Sequence, residues 1–224
     1  MELGSTLIIG GTGYLGSHLV KRLESVAVYD RSIGINQAYD TIIYAAHFND
    51  LETEKQFIES IPVDTYFVFF SSAAVYGETS IDGADVTTSP EPINDYGRYK
   101  LELEQLVQNR FAKHLILRIS NPYGGEPNQR GVYQIFKSRI EHGQVLNINA
   151  NKAAEIVRDF IPIDDFIDKT IDLLNNKSEG YFNISSGQAT CLEDFAAAID
   201  PSKTISFDYT GTKEQEIQIS VLKP

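Results

Sequence analysis

The chain has 224 residues, 42% of them hydrophobic, and a net charge of −12. That length and apolar content suffice for one sizeable core, and the acidity excludes a sequence-independent nucleic-acid binder, which needs a basic footprint. A lone cysteine, Cys191, excludes an internal disulfide framework and points to a reducing, cytoplasmic setting, and no stretch reads as a signal peptide or a membrane span.

The first element is the apolar strand Leu7-Ile8-Ile9. It runs into Gly10-Gly11-Thr12-Gly13-Tyr14-Leu15-Gly16 and a helix from Ser17 to Leu23. Strand, glycine turn and helix N-terminus in that order make a pyrophosphate site: backbone N–H groups and the helix dipole face the anion, and glycine lets it approach closely. The spacing of Gly10, Gly13 and Gly16 is G-x-x-G-x-x-G rather than the usual dinucleotide fingerprint. A second strand, Val26 to Tyr29, ends at Asp30. A carboxylate there accepts both adenosine ribose hydroxyls and favours NAD. Arg31 follows directly and suits the 2′-phosphate of NADP, so NAD is the expectation and NADP the alternative.

Only Arg31 to Asp40 separates this strand from the next, Thr41 to Ala45. A parallel crossover takes about a dozen residues, so no further strand fits between them. A modest helix follows at about Asp50 to Ser60, then the buried strand Tyr66-Phe67-Val68-Phe69-Phe70, which leads into Ser71-Ser72-Ala73-Ala74-Val75-Tyr76-Gly77. Glu78 to Asn94 is rich in Thr, Ser, Pro, Gly and Asp and reads as an exposed loop. The helix Tyr96 to Phe111 carries the stripe Leu101, Leu103, Leu106 and Val107. Beyond it the pattern gives a strand Leu115–Ile119, a helix Gly131–His142 and a short strand Gln144–Ile148. A helix Asp164–Leu174 has Asp164 or Asp165 near its N-cap, and a last helix covers Leu192–Ile199.

Tyr96 and Lys100 stand at i and i+4 on one helix face. An ammonium beside a phenol favours the ionised form and lowers a pKa that is otherwise about 10. Ser72, just past a strand end, offers a hydroxyl to complete an acid/base site. Tyr76 and Tyr99 have no lysine one turn later and are poorer bases. His18, His47, His114 and His142 are scattered without ligand spacing, so no metal is expected. Cys191 reads as a buried apolar residue.

In this order the motifs resemble those of the extended short-chain dehydrogenases/reductases, the NAD-dependent group of nucleotide-sugar epimerases, dehydratases and 4-keto reductases. Four further stretches carry the likeness: Asp40-Thr41-Ile42-Ile43-Tyr44-Ala45-Ala46, Leu117-Arg118-Ile119-Ser120-Asn121-Pro122-Tyr123-Gly124, Arg158-Asp159-Phe160-Ile161-Pro162-Ile163-Asp164-Asp165, and Tyr181-Phe182-Asn183-Ile184-Ser185-Ser186-Gly187. The resemblance implies an α/β fold with a Rossmann-type doubly wound parallel sheet, shortened here by one strand unit, and a small C-terminal substrate lobe. It implies one dinucleotide-binding domain over residues 1–224, with lobe segments at about 125–160 and 188–224.

The same resemblance assigns catalysis to Ser72, Tyr96 and Lys100, and cofactor contacts to Gly10, Gly13, Tyr14, Leu15, Gly16, Asp30, Arg31, Ala45, Ala46 and Lys100. Tyr96 would shuttle the proton on a carbinol oxygen, Lys100 would hold the nicotinamide ribose and stabilise the tyrosinate, and Ser72 would orient the substrate oxygen. Asn121 and Arg158 match positions that contact the diphosphate of a nucleotide sugar; the plainer readings are a turn cap and an ion pair with Asp159. Dehydratases of the group carry Asp-Glu after the Ser or Thr, whereas Ala73-Ala74 stands here. The expected activity is therefore a 4-keto reductase or a 4-epimerase.

Four departures qualify the likeness. The missing strand opens the adenine side, and the segment Ala46–Ser71 is shorter than the region that usually builds a homodimer interface. Asn149–Glu155 replaces a short glycine-bearing turn, and the stretch from Ile205 to Pro224 stops where a longer substrate lobe would begin. The two shortenings and the early stop sustain a second reading, a dinucleotide-binding regulatory or scaffold protein without turnover.

Overall fold

The computed structural model describes residues 3–48, 50–125, 131–148, 156–209 and 219–224. The chain runs β1 (Thr6–Ile9), α1 (Tyr14–Arg22), β2 (Val26–Val28), β3 (Thr41–Tyr44), α2 (Leu51–Glu59) and β4 (Tyr66–Ser72). After a 3-10 turn at Ala73–Tyr76 come α3 (Asp95–Arg110), β5 (His114–Ile119), β6 (Asn121–Tyr123), α4 (Val132–Glu141), β7 (Leu146–Ile148), β8 (Val157–Arg158) and β9 (Phe160–Pro162). The remainder is α5 (Ile163–Asn175), β10 (Gly180–Ile184), β11 (Thr190–Cys191), α6 (Leu192–Ile199), β12 (Phe207–Tyr209) and β13 (Ile219–Ser220).

Six strands form one parallel sheet in the order β10-β5-β4-β3-β1-β2. Its central strands are continuous apolar runs buried on both faces, as a parallel sheet between two helix layers requires. Alternate residues point to opposite faces. Ile8, Ile43, Val68 and Leu117 meet Leu19 of α1 and Phe166 and Leu174 of α5. Leu7, Ile42, Phe67 and Phe69 meet Ile58 of α2 and Leu103 and Val107 of α3. Helix starts are set locally: Asp50 accepts the Thr53 N–H at 2.8 Å before α2, and Asn94 accepts the Gly97 N–H at 2.8 Å before α3.

The shortening read from the sequence is present. Residues 29–40 cross from β2 over β1 to β3 with neither helix nor strand, and Tyr29, Ile35 and Tyr39 pack on the α2–α3 side. β2 is left at the sheet edge.

A smaller core, built on Phe136, Ile140, Leu146, Phe160 and Phe195, gathers the short sheets β12-β7 and β11-β8-β13 beside the main one. Within it Phe160 and Phe195 stack with centroids 3.6 Å apart. The last described residues return to the body: Asn183 Nδ2 donates to the Lys223 carbonyl at 2.9 Å and to the Ala84 carbonyl at 3.0 Å.

Behind the carboxyl ends of β4 and β5 a buried ion pair locks α3 to the sheet. Arg118 and Glu104 lie 2.8 Å apart with side chains 5% and 1% exposed. The Ser71 hydroxyl donates to Glu104 at 2.5 Å, and the guanidinium sits between the rings of Tyr76 and Tyr181, 4.7 Å from each. Arg118 is held firmly cationic: the Glu104 hydrogen bonds and charge outweigh the effect of burial.

Asp164 and Asp165 stand near the N-cap of α5, Pro162, as expected, in the first turn, where the dipole favours acids. Two expectations are corrected. Helix α1 starts at Tyr14, earlier than read, because the glycine turn is the first part of the helix approach. Cys191 is half-buried rather than buried, and its Sγ accepts the Asp194 N–H at 3.4 Å as the cap of α6. The turn at 149–155 lies outside the described residues.

Candidate active site

In an open parallel sheet ligands bind beyond the strands' carboxyl ends, where the strand order reverses. Here that point falls between β1 and β3. Gly10 has φ +84°, and a Cβ on it would come within 2.7 Å of the Ala45 carbonyl and the Ala46 nitrogen. A Cβ on Gly16 would overlap the Gly10 carbonyl oxygen. The turn therefore closes backbone against backbone. Gly13 is the N-cap of helix α1, which has no side-chain cap and no acid in its first turn. Its first N–H groups, with the positive end of the dipole, suit a pyrophosphate. The Tyr14 hydroxyl donates to the Gly124 carbonyl at 2.7 Å and fixes the far wall.

Asp30 stands at the end of β2 as expected. One of its oxygens accepts the Ser32 N–H and hydroxyl at 2.8 and 2.7 Å, and these bonds hold the carboxyl below its usual range. Arg31 lies over the Phe48 ring, 5.3 Å from its centroid. With Tyr29, His47 and Phe57 it lines an open cleft of about 480 Å³ on the adenine side.

A second cleft, of about 220 Å³, brings together Leu15, Ala45, Ala46, His47, Ser72, Tyr96, Lys100 and Ser120. Ser72 ends β4, and its hydroxyl accepts the Ala74 N–H at 3.2 Å. Tyr96 stands at the start of α3 and is 45% exposed. Desolvation raises its pKa and the Glu54 charge adds to this, while a hydrogen bond with Ser72 opposes them. The expectation that Lys100 lowers this pKa is corrected. The Lys100 ammonium, 3% exposed, donates to the Phe70 carbonyl at 3.1 Å and lies 4.9 Å from the Phe69 ring centroid. Its own pKa falls to about 8, through burial first, with Glu54 and Glu104 opposing.

The two residues expected at the diphosphate are engaged elsewhere. Asn121 Nδ2 donates to the Asp159 carbonyl at 2.9 Å, which is the turn-cap reading. Arg158 donates to the Val157 carbonyl at 3.0 Å; neither residue is among those lining the second cleft. The Asp159 carboxylate caps the following loop, accepting from Ser186 N, Ser186 Oγ and Gly187 N.

Sequence reasoning missed His47 and Glu54. His47 follows Ala45-Ala46 at a strand end, a position that could have drawn attention. Glu54 carries no such signal, being one of two glutamates in Leu51-Glu52-Thr53-Glu54. The His47 ring meets Tyr96 and Tyr99 edge-on, at 5.6 and 4.8 Å between centroids. Burial lowers its pKa and Lys100 adds to this, while Glu54 raises it.

The chain is similar over 158 residues to an ADP-L-glycero-D-manno-heptose-6-epimerase of Cupriavidus pinatubonensis, at 29% identity, covering 61% of this chain and 45% of that enzyme. The matched stretch is thus less than half of the relative's length. Among solved structures, a UDP-glucuronic acid 4-epimerase from Bacillus cereus, in complex with UDP-glucuronic acid and NAD, superposes with a TM-score of 0.79 at 18% identity, over 98% of this chain and 90% of that one. A dTDP-4-dehydrorhamnose reductase from Bacillus anthracis, in complex with NADP, gives 0.81 at 18%, over 99% and 90%. Both share the fold. The model of the NAD dependent epimerase/dehydratase family matches residues 52–185, more than half of the chain. Glycine turn, parallel sheet and family match agree: NAD is the cofactor, and the chain belongs to the NAD dependent epimerase/dehydratase family.

Proposed function

We propose that this protein is an NAD-dependent enzyme that transfers hydride to or from a ring carbon of a nucleotide-activated sugar, as a 4-keto reductase or a 4-epimerase. One observation carries the reading: Ser72, Tyr96 and Lys100 line one cleft with Leu15 and Ala45-Ala46 at the carboxyl ends of the parallel strands. The likeness to epimerases and a reductase of nucleotide sugars supports it.

NAD supplies a hydride acceptor or donor when bound. The turn Gly10–Gly16 and the start of α1 would hold its pyrophosphate, Asp30 its adenosine ribose, and Lys100 its nicotinamide ribose. Tyr96 holds or gives the proton at the substrate oxygen, and Ser72 orients that oxygen through its hydroxyl. Lys100, released from the Phe70 carbonyl, would stabilise the ionised phenol. Asn121 and Arg158 would meet a diphosphate only by giving up their present carbonyl partners.

The position of Lys100 favours a second reading, a dinucleotide-binding protein without turnover. Calorimetric titration with NAD+, NADH, NADP+ and NADPH, followed by incubation with UDP- and ADP-sugars, separates the two. The first reading expects binding of NAD and conversion of at least one sugar; binding without conversion of any supports the second.

A further inference from the structure

We propose that Glu54, a buried carboxylate on α2 outside the Ser72, Tyr96 and Lys100 set, is a positioning residue of the candidate site: it ties the loop after β3 to α3 and sets the protonation of the groups facing the cleft. In turnover its role rests on the hydride-transfer reading above.

Glu54 is 0% exposed, whereas Glu52 on the same helix has a side chain 72% exposed and pairs with Lys55 at the surface. A buried carboxylate is costly unless it is held. Here Oε2 accepts the Phe48 N–H at 2.6 Å and the Tyr99 hydroxyl, and it lies 3.9 Å from His47 Nδ1. The Tyr99 hydroxyl also lies 3.0 Å from the Phe48 carbonyl. One side chain thereby fastens the segment after Ala45-Ala46 to the helix that carries Tyr96 and Lys100. Oε1 is buried with no hydrogen-bond partner among the described residues, as is the hydroxyl of Tyr44 on β3.

The groups facing this charge come from each neighbouring element. Tyr44 stands on β3, His47 in the loop after it, and Tyr96, Tyr99 and Lys100 on α3; Arg31 from the β2–β3 crossover and the α2 cap Asp50 lie further out. A fixed negative charge favours the protonated form of every neighbour. At Tyr96 it adds to the burial that favours the phenol, and at Lys100 it opposes the burial that favours the neutral amine.

The test is Glu54→Gln. Glutamine keeps an oxygen for Phe48 and Tyr99 and presents its amide to the unpaired Tyr44 hydroxyl, so the fold is expected to persist. The primary readout is an NMR titration of the His47 ring in the ligand-free protein, assigned with His47→Asn. The expected result is a His47 midpoint lower in Glu54→Gln than in wild type by about one pH unit; identical midpoints overturn the proposal. Where wild type turns over, both limbs of its kcat/KM profile move to lower pH in the variant, and superimposable profiles likewise overturn it. Should Glu54→Gln not fold, Tyr99→Phe leaves the charge and removes one of its bonds. The His47 midpoint then rises, and an unchanged midpoint counts against the proposal. Failure of the hydride-transfer reading appears separately, as absence of turnover with a normal His47 titration.

Discussion

Lys100 and Tyr96 stand one helical turn apart, yet the Lys100 ammonium bonds the Phe70 carbonyl, 3.1 Å away, instead of serving the phenol. The carbonyl belongs to β4, on which α3 packs, so sheet packing determines where the amine rests. A charged amine held there costs stability, because one carbonyl and a ring face replace its water shell.

Lys100→Met is therefore expected to abolish turnover while raising stability by on the order of 1–3 kcal/mol at pH 7. The folded pKa of about 8 lies below the ordinary lysine value. Between the two the unfolded chain binds more protons, so wild-type stability rises with pH in that window and the advantage of the variant narrows. Urea unfolding at pH 7 and pH 10 checks both parts; equal midpoints at pH 7 would refute the burial cost.

Tyr96→Phe should lower kcat by about 10²–10⁴-fold with little change in melting temperature or NAD affinity, because the residue is 45% exposed. Steady-state kinetics beside thermal melting decide it. Near-wild-type turnover would remove Tyr96 from the mechanism.

Arg118→Ala leaves Glu104 buried with its main partner gone and empties the slot between Tyr76 and Tyr181. We expect a loss of about 3–5 kcal/mol, measured by denaturant unfolding. Replacing both members, Arg118→Met with Glu104→Leu, should recover much of it, since the cost lies in an unpaired charge rather than in the absence of a pair.

Gly16→Ala places a methyl against the Gly10 carbonyl oxygen, backbone that cannot swing away. Loss of NAD binding together with a lower melting temperature is expected. Calorimetry showing wild-type affinity would mean that the turn is looser than this packing requires.

The glycine turn, the buried strands and the i, i+4 placement of Tyr96 and Lys100 were legible because each is a local pattern: apolar runs, caps and spacings act over a few residues. The absent strand was equally legible, since the segment from Arg31 to Asp40 is too short to hold one. The two- and three-residue strands β6, β8, β9 and β11–β13 were not, because pairing with distant partners, and no pattern of their own, makes them strands.

By itself, then, the sequence determined the parallel three-layer architecture and brought out Ser72, Tyr96 and Lys100, which share the cleft. Only the tertiary structure decided what those residues do there. Lys100 meets a strand carbonyl, Asn121 caps Asp159, and Glu54 alone of the glutamates on α2 is fully buried and joins the loop after β3 to α3. Hydrogen-bond partners and burial come from packing between segments far apart in the chain, and burial sets the cost and the protonation of each charge.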